Sequence, residues 1–160
     1  MRTRRSHSGA ARPWCSRARV LIRGSRSAGD WRLLAGVGFL QIITALAVRA
    51  TPWSSLRRTA ARFRTLAALV SCGPEERVIW AIEATGRRLP RISTCLVRAI
   101  VAELLLASPD RPVHVTIGVT RPTSGVFEAH AWAERDGRAL VGGPIPGCYT
   151  PVVTWENPIA

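Results

Sequence analysis

The sequence predicts an α+β fold, in which N-terminal helices precede one further helix and a small antiparallel sheet. Three observations support this prediction. Apolar residues recur at helical spacing over residues 95–107. Residues 113–119 and 127–134 alternate between apolar and polar side chains, as half-buried strands do. Asp136-Gly137 then predicts a two-residue hairpin turn, after which the chain returns as the partner strand.

The charge of the chain is concentrated at its N-terminus. The net charge is +13 over 160 residues, enough chain for one domain with a core and too little for two. Residues 1–26 contain eight arginines and no acid. We therefore expect residues 1–29 to be a disordered Arg/Ser-rich tail. The alternatives are a tether to nucleic acid or membrane through this charge, or a start codon placed too far upstream.

The cysteines indicate a reduced, cytoplasmic protein. Four are present, at positions 15, 72, 95 and 148, with no CxxC spacing. No apolar segment of a secretory signal follows the first arginines before Trp31. Free thiols are therefore expected, with no metal or other cofactor. The alternative is zinc bound by these cysteines together with His130.

Residues 33–48 are sixteen residues without a charge, between Arg32 and Arg49, and predict the first helix. A membrane span needs about 20 apolar residues, and this stretch is shorter and contains two glycines, Gln41 and Thr44. A buried or interfacial helix is therefore favoured over a membrane span.

Two more helices are expected before the sheet. Residues 56–69 carry apolar positions on one side and arginines on the other. Pro74 opens the next helix, and Gly86 is a candidate C′ residue for its end. The loop that follows contains Arg87, Arg88 and Arg91. These arginines, Arg91 in particular, are candidates for binding an acidic segment of a substrate, the alternative being a solvated loop.

Cys95 opens the helix that precedes the sheet. Ser93 and Thr94 are good N-cap residues, and Arg98 and Glu103 are expected on the wetter side of the helix. A thiol in the first helical turn lies beside unpaired backbone N–H groups and the positive end of the helix dipole. Both favour the thiolate, which is the nucleophilic form.

His130 lies on a predicted strand downstream. Ala129, Ala131 and Ala133 share one face of that strand, while His130, Trp132 and Glu134 share the other. A cysteine on a helix N-terminus facing such a histidine is the arrangement of papain-like and transglutaminase-like thiol enzymes. The imidazole there takes the thiol proton and later protonates the leaving group. Trp132 either shields this pair, lines a substrate groove or packs in the core.

Three motifs together resemble a known family, the lasso-peptide biosynthesis B2 proteins. They are Cys95-Leu96-Val97-Arg98-Ala99, Ile117-Gly118-Val119, and Ala129-His130-Ala131-Trp132-Ala133-Glu134 followed by Asp136-Gly137. The resemblance covers roughly residues 31–143. It implies a small transglutaminase-like cysteine peptidase that removes the leader from a ribosomally made precursor peptide. It also implies two protein partners, a small leader-binding (RRE) protein and an ATP-dependent lasso cyclase.

The chain departs from the family at the catalytic acid. That acid normally lies about twelve residues after the histidine, where this chain has Gly142 and then Gly143. Asp136 is the nearest candidate for the third catalytic residue. The alternatives are Glu134, a backbone carbonyl, water, or an impaired enzyme. If a carbonyl or water orients the imidazole, Gly142→Asp is expected to restore the family's arrangement and raise activity.

The predicted domain organisation has three parts. Residues 1–29 form the disordered tail, and residues 30–143 form the peptidase domain with its N-terminal helices. Residues 144–160 form a loosely ordered Pro/Gly-rich tail in which Trp155 docks on the domain. Two rival functions remain. One is a catalytically inactive interaction protein that keeps the fold. The other is a basic protein that binds a membrane surface or nucleic acid.

Overall fold

A computed structural model describes residues 28–52, 55, 58, 62–70, 73–120, 127–142 and 149–155. Helices precede a four-stranded antiparallel sheet, which confirms the predicted α+β fold. The elements are α1 (Ala28–Ala50), α2 (Arg64–Val70), α3 (Glu75–Arg88), α4 (Cys95–Leu106), β1 (His114–Thr120), β2 (Glu128–Arg135), β3 (Arg138–Val141) and β4 (Thr150–Trp155).

The sheet has the order β3-β2-β1-β4. Strands β2 and β3 form the predicted hairpin, and both turn residues, Asp136 (φ 50°) and Gly137 (φ 72°), have positive φ. This is the backbone of a type I′ turn, which suits the right-handed twist of the strands. Across β1 and β2, Ala131 lies opposite Ile117 and His130 lies opposite Gly118.

Strand β4 corrects the prediction of a loose C-terminal tail, because residues 150–155 complete the sheet. Pro151 argued against a strand in the sequence, because proline has no backbone N–H to donate to a neighbouring strand. An edge strand tolerates proline at a position where no hydrogen bond from that N–H is needed. The register shifts between Ile117 and Gly118, so that Val152 is left without a pair in β1. Trp155 docks on the domain as predicted, opposite Val115 and only 8% exposed.

Helix α4 is the centre of the structure. It packs against α1, α2, α3 and β2, and Ala99, Val101 and Ala102 are completely buried. Glu103 was expected on a wetter side, and the structure corrects this, since it is 1% exposed. Its carboxylate forms an ion pair with Arg64 of α2 at 2.6 Å. A buried carboxylate needs such a partner, and sequence spacing alone does not reveal one 39 residues away.

Helix α1 is longer than its uncharged stretch, because it extends through Asp30 and Arg49 to 23 residues. At that length it is long and apolar enough to cross a membrane, and it is the one such helix in the described part of the chain. One side nevertheless packs inside the domain, with Val37 and Leu40 fully buried. Buried Gln41 donates a hydrogen bond from Nε2 to the Ile82 carbonyl at 3.0 Å. The prediction of a buried or interfacial helix agrees with this packing.

Helix α3 ends later than predicted. Gly86 is not a C′ residue, since the helix continues to Arg88 with Leu89 as its C-cap. A Cβ at Gly86 would lie 2.9 Å from Arg98 Cδ and 3.1 Å from Ser93 Oγ. The glycine therefore permits close approach of the chain around the start of α4.

Parts of the predicted organisation lie outside the described residues. These are residues 1–27, most of the first half of the helix predicted over 56–69, and the three cysteines at 15, 72 and 148. Helix α2 covers the second half of that predicted helix.

Candidate active site

Cys95 is the first residue of α4, as predicted. Thr94 is the N-cap residue, and its Oγ1 accepts a hydrogen bond from the Val97 backbone N–H at 3.4 Å. Ser93, the other N-cap candidate, is buried just before it. Cys95 is a free thiol and is half-buried. The capped first turn thus holds the sulfur beside the backbone N–H groups that the helix leaves unpaired.

The far end of α4 is fastened to the far end of β2. Arg135 donates from Nη2 to the Leu106 carbonyl at 2.7 Å, and its Nη1 pairs with Glu75 of α3. From Leu106 back to Cys95 the helix rises about 17 Å, at 1.5 Å per residue. From Arg135 back to His130 the strand covers about the same length, at 3.3 Å per residue. Cys95 and His130 are thus about equally far from this fastened end along α4 and β2, which pack on each other.

The alanines of β2 face α4. Ala131 and Ala133 belong to the same buried cluster as Ala99 and Ala102 of the helix. Small side chains on both elements allow helix and strand to approach closely. Ala129, the next residue on this face, is exposed, so the helix covers β2 only as far as Ala131. The end of the strand that carries His130 is therefore open.

His130 is held by a backbone carbonyl. Its Nε2 lies 2.8 Å from the Gly142 oxygen. Strand β3 makes its last pair with β2 at Val141 and Ala133, and the chain turns at the next residue. A carbonyl oxygen can only accept a hydrogen bond, so Nε2 must carry the proton. In a neutral imidazole this leaves the lone pair on Nδ1, which is then the basic nitrogen.

The structure requires glycine at position 142. Its φ is +113°, a conformation that side chains rarely adopt. A Cβ there would lie 2.8 Å from Trp132 Cβ and 3.0 Å from Trp132 Cα. The expectation that Gly142→Asp restores an acid is therefore wrong, because an aspartate does not fit this backbone. The main-chain oxygen occupies the place in the sequence where the resembled family has its acid.

Asp136 does not contact His130, which corrects its assignment as the orienting acid. It is exposed in the hairpin turn, six residues further along, or about 20 Å at the rise of a strand. The turn needs a residue that tolerates positive φ, and Asp136 meets that need. Glu134 is also engaged elsewhere. It accepts from Trp132 Nε1 at 2.7 Å and from Thr116 Oγ1 at 3.1 Å.

The His130 ring has two aromatic neighbours, Trp132 and Tyr149. The Trp132 ring is inclined by 22° to the imidazole, with the ring centroids 6.3 Å apart. The Tyr149 ring is inclined by 42°, with its centroid 5.5 Å from that of the imidazole. Trp132 is only 2% exposed, yet it is not part of the hydrophobic cluster that contains Ala131 and Ala133. Packing in that cluster therefore does not account for its burial. A Cβ at Gly118 would lie 2.8 Å from Trp132 Cη2. Glycine opposite His130 thus makes room for the indole.

Sequence reasoning missed two parts of this arrangement. Tyr149 was assigned to a loose tail, yet its ring packs on His130 and its hydroxyl donates to Glu128 at 3.4 Å. Gly118 gave a usable signal, since an isolated glycine within an alternating strand often marks close approach of a neighbour.

Some predicted site residues are not brought together. Cys95 and His130 are not hydrogen-bonded to each other, and His130 lies on the strand face opposite to Ala131. Arg91 is exposed, and its carbonyl accepts from Arg49 Nη2 at 3.1 Å. Among the described residues, no three His, Cys, Asp or Glu side chains are grouped as metal ligands.

A comparison with protein families gives a match that covers most of the chain. The model described as the transglutaminase-like superfamily matches residues 31–154, which include Cys95, His130 and Tyr149 and end within β4. No curated protein and no solved structure matches the chain.

Proposed function

Since the chain belongs to the transglutaminase-like superfamily over residues 31–154, we propose that it is a cysteine peptidase that removes the leader from a lasso precursor peptide. The superfamily supports thiol chemistry of the peptidase or transferase kind. The narrower assignment is supported by the motifs around Cys95 and His130. One observation carries the catalytic part of the proposal. The Gly142 carbonyl fixes the His130 tautomer whose Nδ1 can take the thiol proton.

In the first half of the proposed reaction, Nδ1 of His130 accepts the proton of the Cys95 thiol. The sulfur attacks the scissile carbonyl carbon, and the electron pair of the C=O bond moves to oxygen. When the C–N bond breaks, the imidazolium gives its proton to the leaving amine. The leader and the core are then separate, and one of them is held as a thioester on Cys95.

In the second half, water attacks the thioester. His130 accepts one proton from the water and returns it to the departing thiolate, which yields a carboxylic acid and the free thiol. The Cys95 backbone N–H, at the start of α4, is the candidate donor to the oxyanion in both halves.

The aromatic rings on His130 have a defined part in this scheme. While the imidazolium exists, its positive charge lies beside the Trp132 and Tyr149 rings, which partly screen it from water. The neutral Gly142 carbonyl stabilises that charge less than a carboxylate does, because charge-assisted hydrogen bonds are about twice as strong. We therefore expect a slower enzyme than one with an acid at this position.

The proposal includes three macromolecular partners in the cytoplasm. The precursor peptide is the substrate, a small leader-binding (RRE) protein presents it, and an ATP-dependent lasso cyclase uses the released core. Exposed Arg91, four residues before Cys95, is a candidate contact for an acidic part of the precursor or of the leader-binding protein.

The test is cleavage of a precursor peptide by the full chain in the presence of the leader-binding protein, followed by mass spectrometry. We expect release of intact leader and core, no release by Cys95→Ala, and normal release by Cys72→Ala as the matched thiol control. Cleavage by Cys95→Ala would overturn the mechanism. An intact precursor together with rapid iodoacetamide labelling of Cys95 would overturn only the lasso substrate. An intact precursor with an unreactive Cys95 would favour the inactive interaction protein, which the missing acid supports.

A further inference from the structure

Helix α1 is apolar on its outward side as well as on its inward side, and its uncharged polar residues lie on the inward side. The polar residues Gln41 and Thr44 are buried, at 0% and 2% exposure. Phe39 and Leu46 are exposed, at 55% and 60%. In a helix packed on a soluble domain the opposite distribution is expected. The outward side of α1 therefore suits an apolar medium better than water.

The exposed apolar residues form one continuous stripe, which we call the α1 stripe. Its members recur at spacings of four, four, three and four, so they lie on one side of the helix. They are Trp31, Ala35, Phe39, Ile42 and Leu46. From end to end the stripe is about 23 Å long, at 1.5 Å per residue. Contiguous exposed apolar surface of this kind marks an interaction site.

A shallow groove of about 470 Å³ runs beside the α1 stripe. Gly38 of α1 and Thr85, Arg88 and Leu89 at the end of α3 complete its walls. The α1 stripe is thus bordered by the last turn of α3, where the groove allows an apolar group to enter between the two helices.

Four arginines are the described charged residues around the α1 stripe. Arg32 and Arg49 stand at its two ends, Arg88 borders the groove, and Arg91 lies beside Arg49 through their hydrogen bond. All four are exposed. The single acid of α1, Asp30, is buried and paired with Arg77. An apolar surface bordered by these four cations complements acyl chains below a layer of phosphates.

From this exposed apolar stripe and the charges around it we propose that the α1 stripe lies on the surface of an anionic lipid bilayer. The apolar residues enter the boundary of the acyl chains, the arginines reach lipid phosphates, and Trp31 sits at headgroup depth. The helix binds along the surface and does not cross the bilayer. Its inner side is held in the domain by Val37, Leu40 and the Gln41 hydrogen bond, and crossing would break that core.

The first experiment is flotation of the full chain with vesicles at about 0.15 M salt. One set of vesicles is pure phosphatidylcholine, and the other has equal parts phosphatidylcholine and phosphatidylglycerol. We expect binding to the anionic set and release by alkaline carbonate. Equal binding to both sets, or resistance to carbonate, would overturn the proposal.

Matched substitutions separate the stripe from the basic N-terminal residues of the same chain. Phe39→Asp and Leu46→Asp should each weaken binding to anionic vesicles by about tenfold or more, since each removes a large apolar group and adds a negative charge. Phe127→Asp and Val152→Asp are the controls, because both residues are exposed apolar positions in or next to strands that α1 does not contact, each at 61%. Circular dichroism checks that all four variants are folded.

A second set of substitutions tests the arginines around the α1 stripe in the same vesicle-binding experiment. Arg32→Gln, Arg49→Gln and Arg88→Gln should each weaken binding by about fivefold, whereas Arg138→Gln on β3 should leave it unchanged. If the stripe variants bind as tightly as the natural chain, residues outside α1 carry the binding and the proposal fails. It also fails if no vesicle binds and Phe39→Asp instead dissociates a self-associated form of the protein, because the α1 stripe is then a protein interface.

Discussion

The two ends of the α4–β2 pair are built for different tasks. At one end, Arg135 is 6% exposed and joins the Leu106 carbonyl to Glu75, so three elements are fastened by one side chain. At the other end, Cys95 and His130 are both half-buried, and the helix no longer covers the strand. The buried end fixes the alignment of helix and strand. The open end leaves the thiol and the imidazole accessible to a substrate.

The largest effect is expected at the open end. His130→Ala removes the general base and should lower the cleavage rate by about a hundredfold to ten-thousandfold. The melting temperature should change little, because the ring lies outside the hydrophobic core. His114→Ala on β1 is the matched control and should retain its rate. The measurement is cleavage of precursor peptide under single-turnover conditions, beside a thermal melt. Equal losses in both variants would show that a histidine on the sheet matters only for folding.

The next largest effect is expected at Gly142, whose carbonyl accepts the hydrogen bond from His130 Nε2. Gly142→Asp should destabilise the protein by about 2–4 kcal/mol, since it combines strain at positive φ with a steric clash against Trp132. Cleavage should fall as well, because the chain must shift and carry its carbonyl away from Nε2.

Gly137→Ala isolates the strain, since Gly137 also has positive φ but no atom lies within 4 Å of its added Cβ. It should cost about 1 kcal/mol and leave cleavage unchanged. Chemical denaturation measures both variants. A Gly142→Asp protein that is more active than the natural chain would show that the backbone accommodates the family's acid after all.

A smaller effect is expected at the buried end. Arg135→Met should lower stability by about 1–3 kcal/mol, because it leaves the Leu106 carbonyl and the Glu75 carboxylate without their main donor. Arg111 partly compensates, since it lies 3.5 Å from Glu75.

Below the melting transition, the cleavage rate of Arg135→Met should stay within about threefold of the natural rate, as judged from single-turnover assays. Arg138→Met is the control, because that arginine lies opposite Arg135 in the hairpin but is exposed. If Arg135→Met lost activity without losing stability, the separation of tasks between the two ends would be wrong.

The sequence predicted those parts of the site that depend on local pattern. Helical spacing placed Cys95 on a helix N-terminus, and alternation placed His130 on a hairpin strand with Trp132 and Glu134. What it missed depends on contacts between distant segments. Alternation cannot show that Glu134 accepts hydrogen bonds from Trp132 and Thr116, or that Tyr149 packs on His130 beside a fourth strand. A backbone carbonyl was among the predicted alternatives to an acid, but no side-chain motif reveals that it is the Gly142 carbonyl.

The smallest effect is expected at Asp136. The sequence made it the nearest acid to His130, but the structure places it exposed at the hairpin turn, near the buried end of the pair and far from the open one. Asp136→Asn removes the charge and keeps a residue that suits a type I′ turn, since Asn-Gly is as favourable there as Asp-Gly. Cleavage rate and melting temperature should both match those of the natural chain, within about twofold and about 2 °C. A rate loss of about a hundredfold at unchanged stability would mean that the hairpin reaches His130 during turnover. The Gly142 carbonyl would then not be the group that orients the imidazole.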